Sequence, residues 1–163
     1  MSLANGENSI IINGGANMAM SAESFTDQWS DTISSSKILL LQREVPESIN
    51  IAAARCARDN NVTVILDMGG RDEPISDELI SLCDIISPNE TEVSRLFASL
   101  LRVEVEEEEE YKMERRISYH ELDQTVAESK LKQFLGHQKP GFRLLMKEGS
   151  QGSSLYWLNG EGE

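Results

Sequence analysis

Apolar positions along this chain switch between two spacings. Short continuous runs recur: Ile38-Leu39-Leu40-Leu41 inside Lys37 to Gln42, then Val62 to Leu66, Ile85-Ile86, and Arg143 to Lys147. Runs of this kind mark strands buried on both faces. Between them the spacing becomes helical. Ser21 to Ile33 places Ala22, Phe25, Trp29 and Ile33 on one side. Pro46 opens a helix where its missing N–H costs nothing, and Ile49, Ala52, Ala53, Cys56 and Ala57 follow on one stripe. Ser76 to Cys83 is a short helix. Asn89 to Leu101 carries Val93, Leu96, Phe97, Leu100 and Leu101 on one side, and Ser118 to Leu135 is buried through Ala127, Leu131, Phe134 and Leu135. Ser9 to Ile12 reads as a further strand ending at Asn13-Gly14-Gly15. Ser153 to Leu158, ending at Asn159-Gly160, reads as one arm of an antiparallel pair. Strands alternating with amphipathic helices predict an α/β three-layer sandwich, a mostly parallel central sheet covered on both faces.

Glu104 to Arg116 interrupts that rhythm. Five consecutive glutamates repel one another and favour a solvated loop, so residues 103–117 read as an acidic insertion in one domain spanning 1–163. An acidic docking site for a basic partner is the rival reading. Ser118-x-x-Glu121 restarts regular helix as a capping box. The formal net charge of −13 disfavours nucleic acid and anionic membrane surfaces as partners. It does not exclude a nucleotide, because backbone N–H groups can hold phosphate inside an acidic protein. No run of about 18 apolar residues is present, and Met1 to Asn8 is polar, so neither a membrane span nor a secretory signal is expected. Cys56 and Cys83 have no ligand spacing and read as reduced thiols of a cytosolic protein. His120 and His137 have no nucleophile beside them, which argues against a hydrolase triad or a metal site.

In parallel sheets, ligands bind where strands end and helices begin. That rule points to the segments after Gln42, Leu66, Ser87 and Lys147. In Ser87-Pro88-Asn89-Glu90-Thr91-Glu92, Asn89 and Glu92 have the spacing of a capping box, and their location also suits the water shell of Mg²⁺ and phosphates. Lys147-Glu148-Gly149-Ser150-Gln151-Gly152 runs from a strand into Gly-x-x-Gly, which can cradle a ligand or simply turn the chain. Glu44 could accept sugar hydroxyls, or complement a helix dipole. Asp67-Met68-Gly69-Gly70 reads as a tight turn at the ligand edge. Walker and Rossmann phosphate loops are absent from the sequence.

Taken in order, these elements resemble the PfkB carbohydrate kinases, in their ribokinase-like branch. The matching stretches are Gly6-Glu7-Asn8, Gly14-Gly15-Ala16-Asn17, LLLQREVP from Leu39 to Pro46, ILDMGG from Ile65 to Gly70, DIISPNETE from Asp84 to Glu92, KEGSQG from Lys147 to Gly152, and Asn159-Gly160-Glu161-Gly162. The resemblance implies transfer of phosphate from ATP to D-ribose, giving D-ribose 5-phosphate and ADP. It implies Glu44 on the sugar, Asn89 and Glu92 on Mg²⁺ and phosphate, and Asn89 with Lys147, Glu148, Gly149, Ser150, Gln151 and Gly152 along the nucleotide. It further implies a cytoplasmic enzyme, or an organellar one if a transit peptide precedes this sequence. Activation by a monovalent cation and a homodimer are open for the whole enzyme.

Three departures bear on that expectation. The family's N-terminal sugar-binding segment and its C-terminal Gly-Ala-Gly-Asp, which supplies the anion hole and catalytic base, are not in this sequence. No catalytic residue is therefore assigned. Glu148 also puts an acid where the family has an apolar residue. The chain is expected to be inactive alone, with uncovered sheet edges that make it prone to associate. The alternatives are a non-catalytic relic that binds a nucleotide or a partner, and a kinase of this fold for fructose or a nucleoside.

Overall fold

Four apolar runs become strands that lie side by side in the order in which they occur. The computed structural model describes residues 13–21, 23, 25, 27–70, 73–101 and 124–157. Strands β1 (Ile38–Leu41), β2 (Thr63–Asp67), β3 (Ile85–Ser87) and β4 (Arg143–Lys147) are parallel, and β5 (Ser153–Tyr156) returns antiparallel to β4. The mostly parallel sheet and the antiparallel final arm are as the sequence predicts. Helices α1 (Asp27–Ser34), α2 (Glu47–Asp59), α3 (Asp77–Leu82), α4 (Glu90–Leu101) and α5 (Gln124–Gly136) fill the intervals. Ser9 to Ile12, the acidic insertion 103–117, the capping box at Ser118 and the Asn159–Gly162 segment lie outside the described residues.

Local chemistry sets the helix starts. Pro46 is extended, with φ −54° and ψ 136°, and α2 follows it directly. Ser76 caps α3, its hydroxyl accepting the Leu79 N–H at 3.2 Å. The first helix is shorter than the predicted Ser21 to Ile33. It begins at Asp27, whose acid suits a first turn. Ser21 and Phe25 precede it, and Ala22 is outside the described residues. Of that predicted face Ile33 is buried, whereas Trp29 is 36% exposed and meets Phe25 edge-on with ring centroids 6.0 Å apart.

Parallel crossovers are right-handed almost without exception, so a sheet that always adds its next strand on the same side collects its crossover helices on one face. Accordingly α2 packs on β1 and β2, α4 packs on β4, and α1, α3 and α5 pack against those helices. Val64, Leu66, Ile86 and Leu144 point to that face and are fully buried, with Phe134 of α5 set edge-on to Phe142 at 5.8 Å. Positions of the opposite parity form a second face that no described helix covers. There Leu40 is 73% exposed, Ile38 52% and Leu155 45%, while Ile65, Ile85 and Leu145 are half-buried. The Ile38–Leu41 run is therefore buried on one face rather than two. Two of the three expected layers lie among the described residues.

The N-terminal edge of the sheet is fastened by Asp84. Its Oδ2 accepts the Val64 N–H at 2.8 Å, and its Oδ1 lies 2.7 Å from Lys139 Nζ and 3.3 Å from Arg58 Nη1. Burial pushes this carboxyl up, but Lys139, the Val64 N–H and Arg58 together outweigh that and hold it below the ordinary aspartate value. A depressed folded pKa contributes stability above the unfolded value, and that contribution is lost as pH falls through the folded one. Asp84→Asn should therefore destabilise the chain at pH 7, with the gap to the unmodified protein closing below about pH 4. Urea titrations at the two pH values measure it, and an equal gap at both would refute the assignment. Cys83, beside this carboxylate, is fully buried, and burial pushes its thiol up to about 12, which keeps it protonated and inert.

Candidate functional site

Four strand ends meet along the C-terminal edge of the sheet, and hydrogen bonds tie each to the next. After β1, the buried Arg43 donates its backbone N–H to Gly69 O at 3.3 Å and its Nη2 to the carbonyls of Glu73 and Pro74 at 2.7 and 3.1 Å. Asn50 of α2, also buried, donates to Gln42 O at 2.8 Å. This clamp seats Glu44 against the loop after β2. Gly70 there has φ +102°, and a Cβ on it would sit 2.7 Å from Glu44 Cγ.

After β2, Asp67 Oδ1 accepts the Gly69 N–H at 2.8 Å, closing the turn read from the sequence. After β3, Asn89 and Glu92 form a reciprocal capping box. The Glu92 N–H donates to Asn89 Oδ1 at 2.9 Å, and the Glu92 carboxylate accepts the Asn89 N–H at 2.8 Å and its Nδ2 at 3.1 Å. Glu92 is buried with that carboxylate facing Gly69, where a Cβ would be 3.7 Å from Oε1 and 3.1 Å from Asp67 Oδ1. Two carboxylates thus flank one glycine.

After β4, Lys147 donates its backbone N–H to Pro88 O at 2.8 Å, and its ammonium meets Asp67 at 2.9 and 2.8 Å. Burial raises the Asp67 pKa, but the Lys147 hydrogen bond, the Gly69 N–H and the Lys147 charge hold it below its ordinary value. Asp67 is therefore ionised at neutral pH. Gly149–Gln151 is one turn of 3-10 helix, closed by Gly152 at φ +96° and ψ −129°, a conformation that glycine alone adopts freely. The Glu148 carboxylate accepts the Ser154 hydroxyl at 2.9 Å, and its N–H donates to Gly152 O at 2.8 Å.

A parallel sheet with its polar strand ends on one edge is a ligand-binding architecture, and its motifs have a family. The model of the pfkB family of carbohydrate kinases matches residues 1–162. The chain belongs to that family. Ribokinase from Arabidopsis thaliana is 39% identical over 158 residues, covering 97% of this chain and 36% of that protein. The solved structure of Arabidopsis thaliana ribokinase complexed with ribose and ATP superposes with a TM-score of 0.67 at 38% identity, over 98% of this chain and 44% of that one. Ribokinase from Thermotoga maritima gives a TM-score of 0.64 at 28% identity, over 97% and 43%. The chain thus spans about a third of the length of its Arabidopsis relative.

Within this pfkB framework, the residues singled out from sequence fall into one group. Glu44, Asn89, Glu92 and Lys147 to Gly152 all lie at strand ends on the same edge, although 108 positions of numbering separate Glu44 from Gly152. Ser150 and Gln151 are exposed at its margin. Two participants escaped the sequence reading. Asp67 showed itself as a turn residue but not as the partner of Lys147. Arg43 showed itself only as a charge directly after an apolar strand, a position where a buried arginine needs carbonyl partners.

Proposed function

We propose that this chain provides the sugar- and nucleotide-facing rim of a ribokinase-type phosphotransferase, acting on ATP and D-ribose. The observation that carries the reading is the convergence of Glu44, the Asn89–Glu92 turn and the Lys147–Gly152 loop on one sheet edge. The likeness to ribokinases, one of them solved with ribose and ATP, supports the substrate pair. In the reaction, the terminal hydroxyl of ribose attacks the γ-phosphorus, the bond to ADP breaks, and the hydroxyl proton passes to a base. Catalysis of this kind depends on positioning and charge neutralisation. Glu44 would accept hydroxyls of the sugar. The Gly149 and Gly152 backbone would let the nucleotide approach closely, and Glu148, turned toward Ser154, leaves that approach free.

Mg²⁺ is the implied cofactor, and the donor set fits it in one manner. Among the described residues no three His, Cys, Asp or Glu side chains converge as a metal cage. Asn89 and Glu92 are hydrogen-bonded to each other yet retain acceptor lone pairs, which suits water-mediated contact with a phosphate-bound ion. Such an ion would neutralise charge on the transferring phosphoryl group.

Calorimetric titration of ribose and ATP into the chain tests the reading. Glu44→Gln should weaken ribose binding about tenfold, the loss of one charged hydrogen bond, and leave ATP unchanged. Tighter binding of fructose or a nucleoside than of ribose would overturn the substrate assignment. Ribose-dependent release of ADP by this polypeptide would overturn the expectation that it lacks the base.

A further inference from the structure

Asp67 and Lys147 come from strands that are not neighbours. β3 lies between them, and two strand spacings amount to roughly 10 Å, more than a lysine side chain spans. The ammonium nevertheless reaches Asp67 across the intervening segment, in which Ser87 is the backbone partner of Asp67 and Asn89 that of Lys147. Both carboxylate oxygens engage the ammonium, at 2.9 and 2.8 Å, and the Gly69 N–H fixes one of them. The pair sits in front of the Asn89–Glu92 turn, with Lys147 tied to that turn through Pro88 O and paired to Asn89 along the backbone. It is also half open to solvent, Lys147 at 39% and Asp67 at 49% side-chain exposure.

We propose that Lys147 is the phosphate-binding cation of this rim and that Asp67 is its internal competitor, a counter-ion that an incoming polyphosphate displaces. This deepens the nucleotide assignment above and rests on it. Glu92 and Glu90 add negative charge beside the same mouth, Glu90 with Oε1 3.8 Å from the Cβ position of Gly149. An anion entering there gains from an ammonium already placed. It loses part of that gain by separating the ammonium from Asp67. Asp67 therefore sets affinity in the direction opposite to Lys147, although the two are hydrogen-bonded partners here. A purely structural ion pair behaves otherwise, since removing either side would then harm the site alike.

The test is calorimetric titration of sodium tripolyphosphate, ATP and adenosine into the chain and three variants at low ionic strength. Asp67→Asn, which keeps the Gly69 hydrogen bond, should bind tripolyphosphate and ATP two- to five-fold more tightly, the range of an exposed ion pair. Lys147→Met should bind both about tenfold more weakly, and Lys147→Arg should restore most of the loss. Adenosine should be indifferent to all three. Unchanged or weaker tripolyphosphate binding by Asp67→Asn overturns the proposal, as does unchanged binding by Lys147→Met. Loss of adenosine and ribose binding with the tripolyphosphate pattern intact would instead overturn the kinase reading and leave the competing pair standing.

Discussion

Gly70→Ala should be among the most damaging single-methyl additions to this chain, lowering stability by roughly 2–4 kcal/mol. Two effects add. The residue sits at φ +102°, a region that L side chains rarely adopt. Its new Cβ would also lie 2.7 Å from Glu44 Cγ and 3.2 Å from Arg43 C and Glu44 N. The side-chain clash could be relieved by rotating Glu44, but the two backbone contacts cannot, because Arg43 is anchored to Gly69, Glu73 and Pro74. The strand end itself must move, and Glu44 with it. The ribose affinity proposed for this rim should then fall with stability, whereas the proposed adenosine affinity, on its far side, should change little. Chemical denaturation and calorimetry read the two effects separately. A stability loss under about 0.5 kcal/mol would show that the two loops are not in register as described.

The second large effect concerns the face of the sheet that no described helix covers. An edge strand that presents aliphatic side chains and free backbone groups is a template for association. Here Ile38 and Leu40 of β1 at one edge and Leu155 of β5 at the other are exposed. The chain should therefore self-associate, and Leu40→Lys should shift it toward a monomer of 18.2 kDa. Burying one leucine is worth about 1.5–3 kcal/mol, so the dissociation constant should rise at least tenfold. Light scattering across a dilution series measures it. A monodisperse monomer of the unmodified chain with a sharp, concentration-independent thermal transition would sink this prediction.

The two cases mark where the sequence was informative. Apolar runs located the four parallel strands among the described residues, since burial of one face already demands aliphatic residues. They did not reveal how many faces are buried. Ile38 and Leu40 are as apolar as Leu39 and Leu41, yet the first pair is exposed and the second packs on the core. What decides this is strand order and crossover direction, which no local pattern encodes. Asn89 and Glu92 were legible because a helix cap has a fixed spacing, whatever else it does. The Asp67–Lys147 pair was not, because its partners are 80 residues apart and lie on strands that are not neighbours in the sheet. Arg43 was hidden for a related reason: its partners are carbonyls, which leave no trace in residue identity.

Because each parallel strand lies next to the one that follows it in the chain, assembly needs few distant encounters. Each strand–helix unit can dock on the one already made, so the sheet can grow as the polypeptide leaves the ribosome, with modest entropy lost to loop closure at every step. The bridge from β2 to β4 is the exception, since it waits for β4 to arrive. That contact of the ligand edge can form only once β4 has docked beside β3.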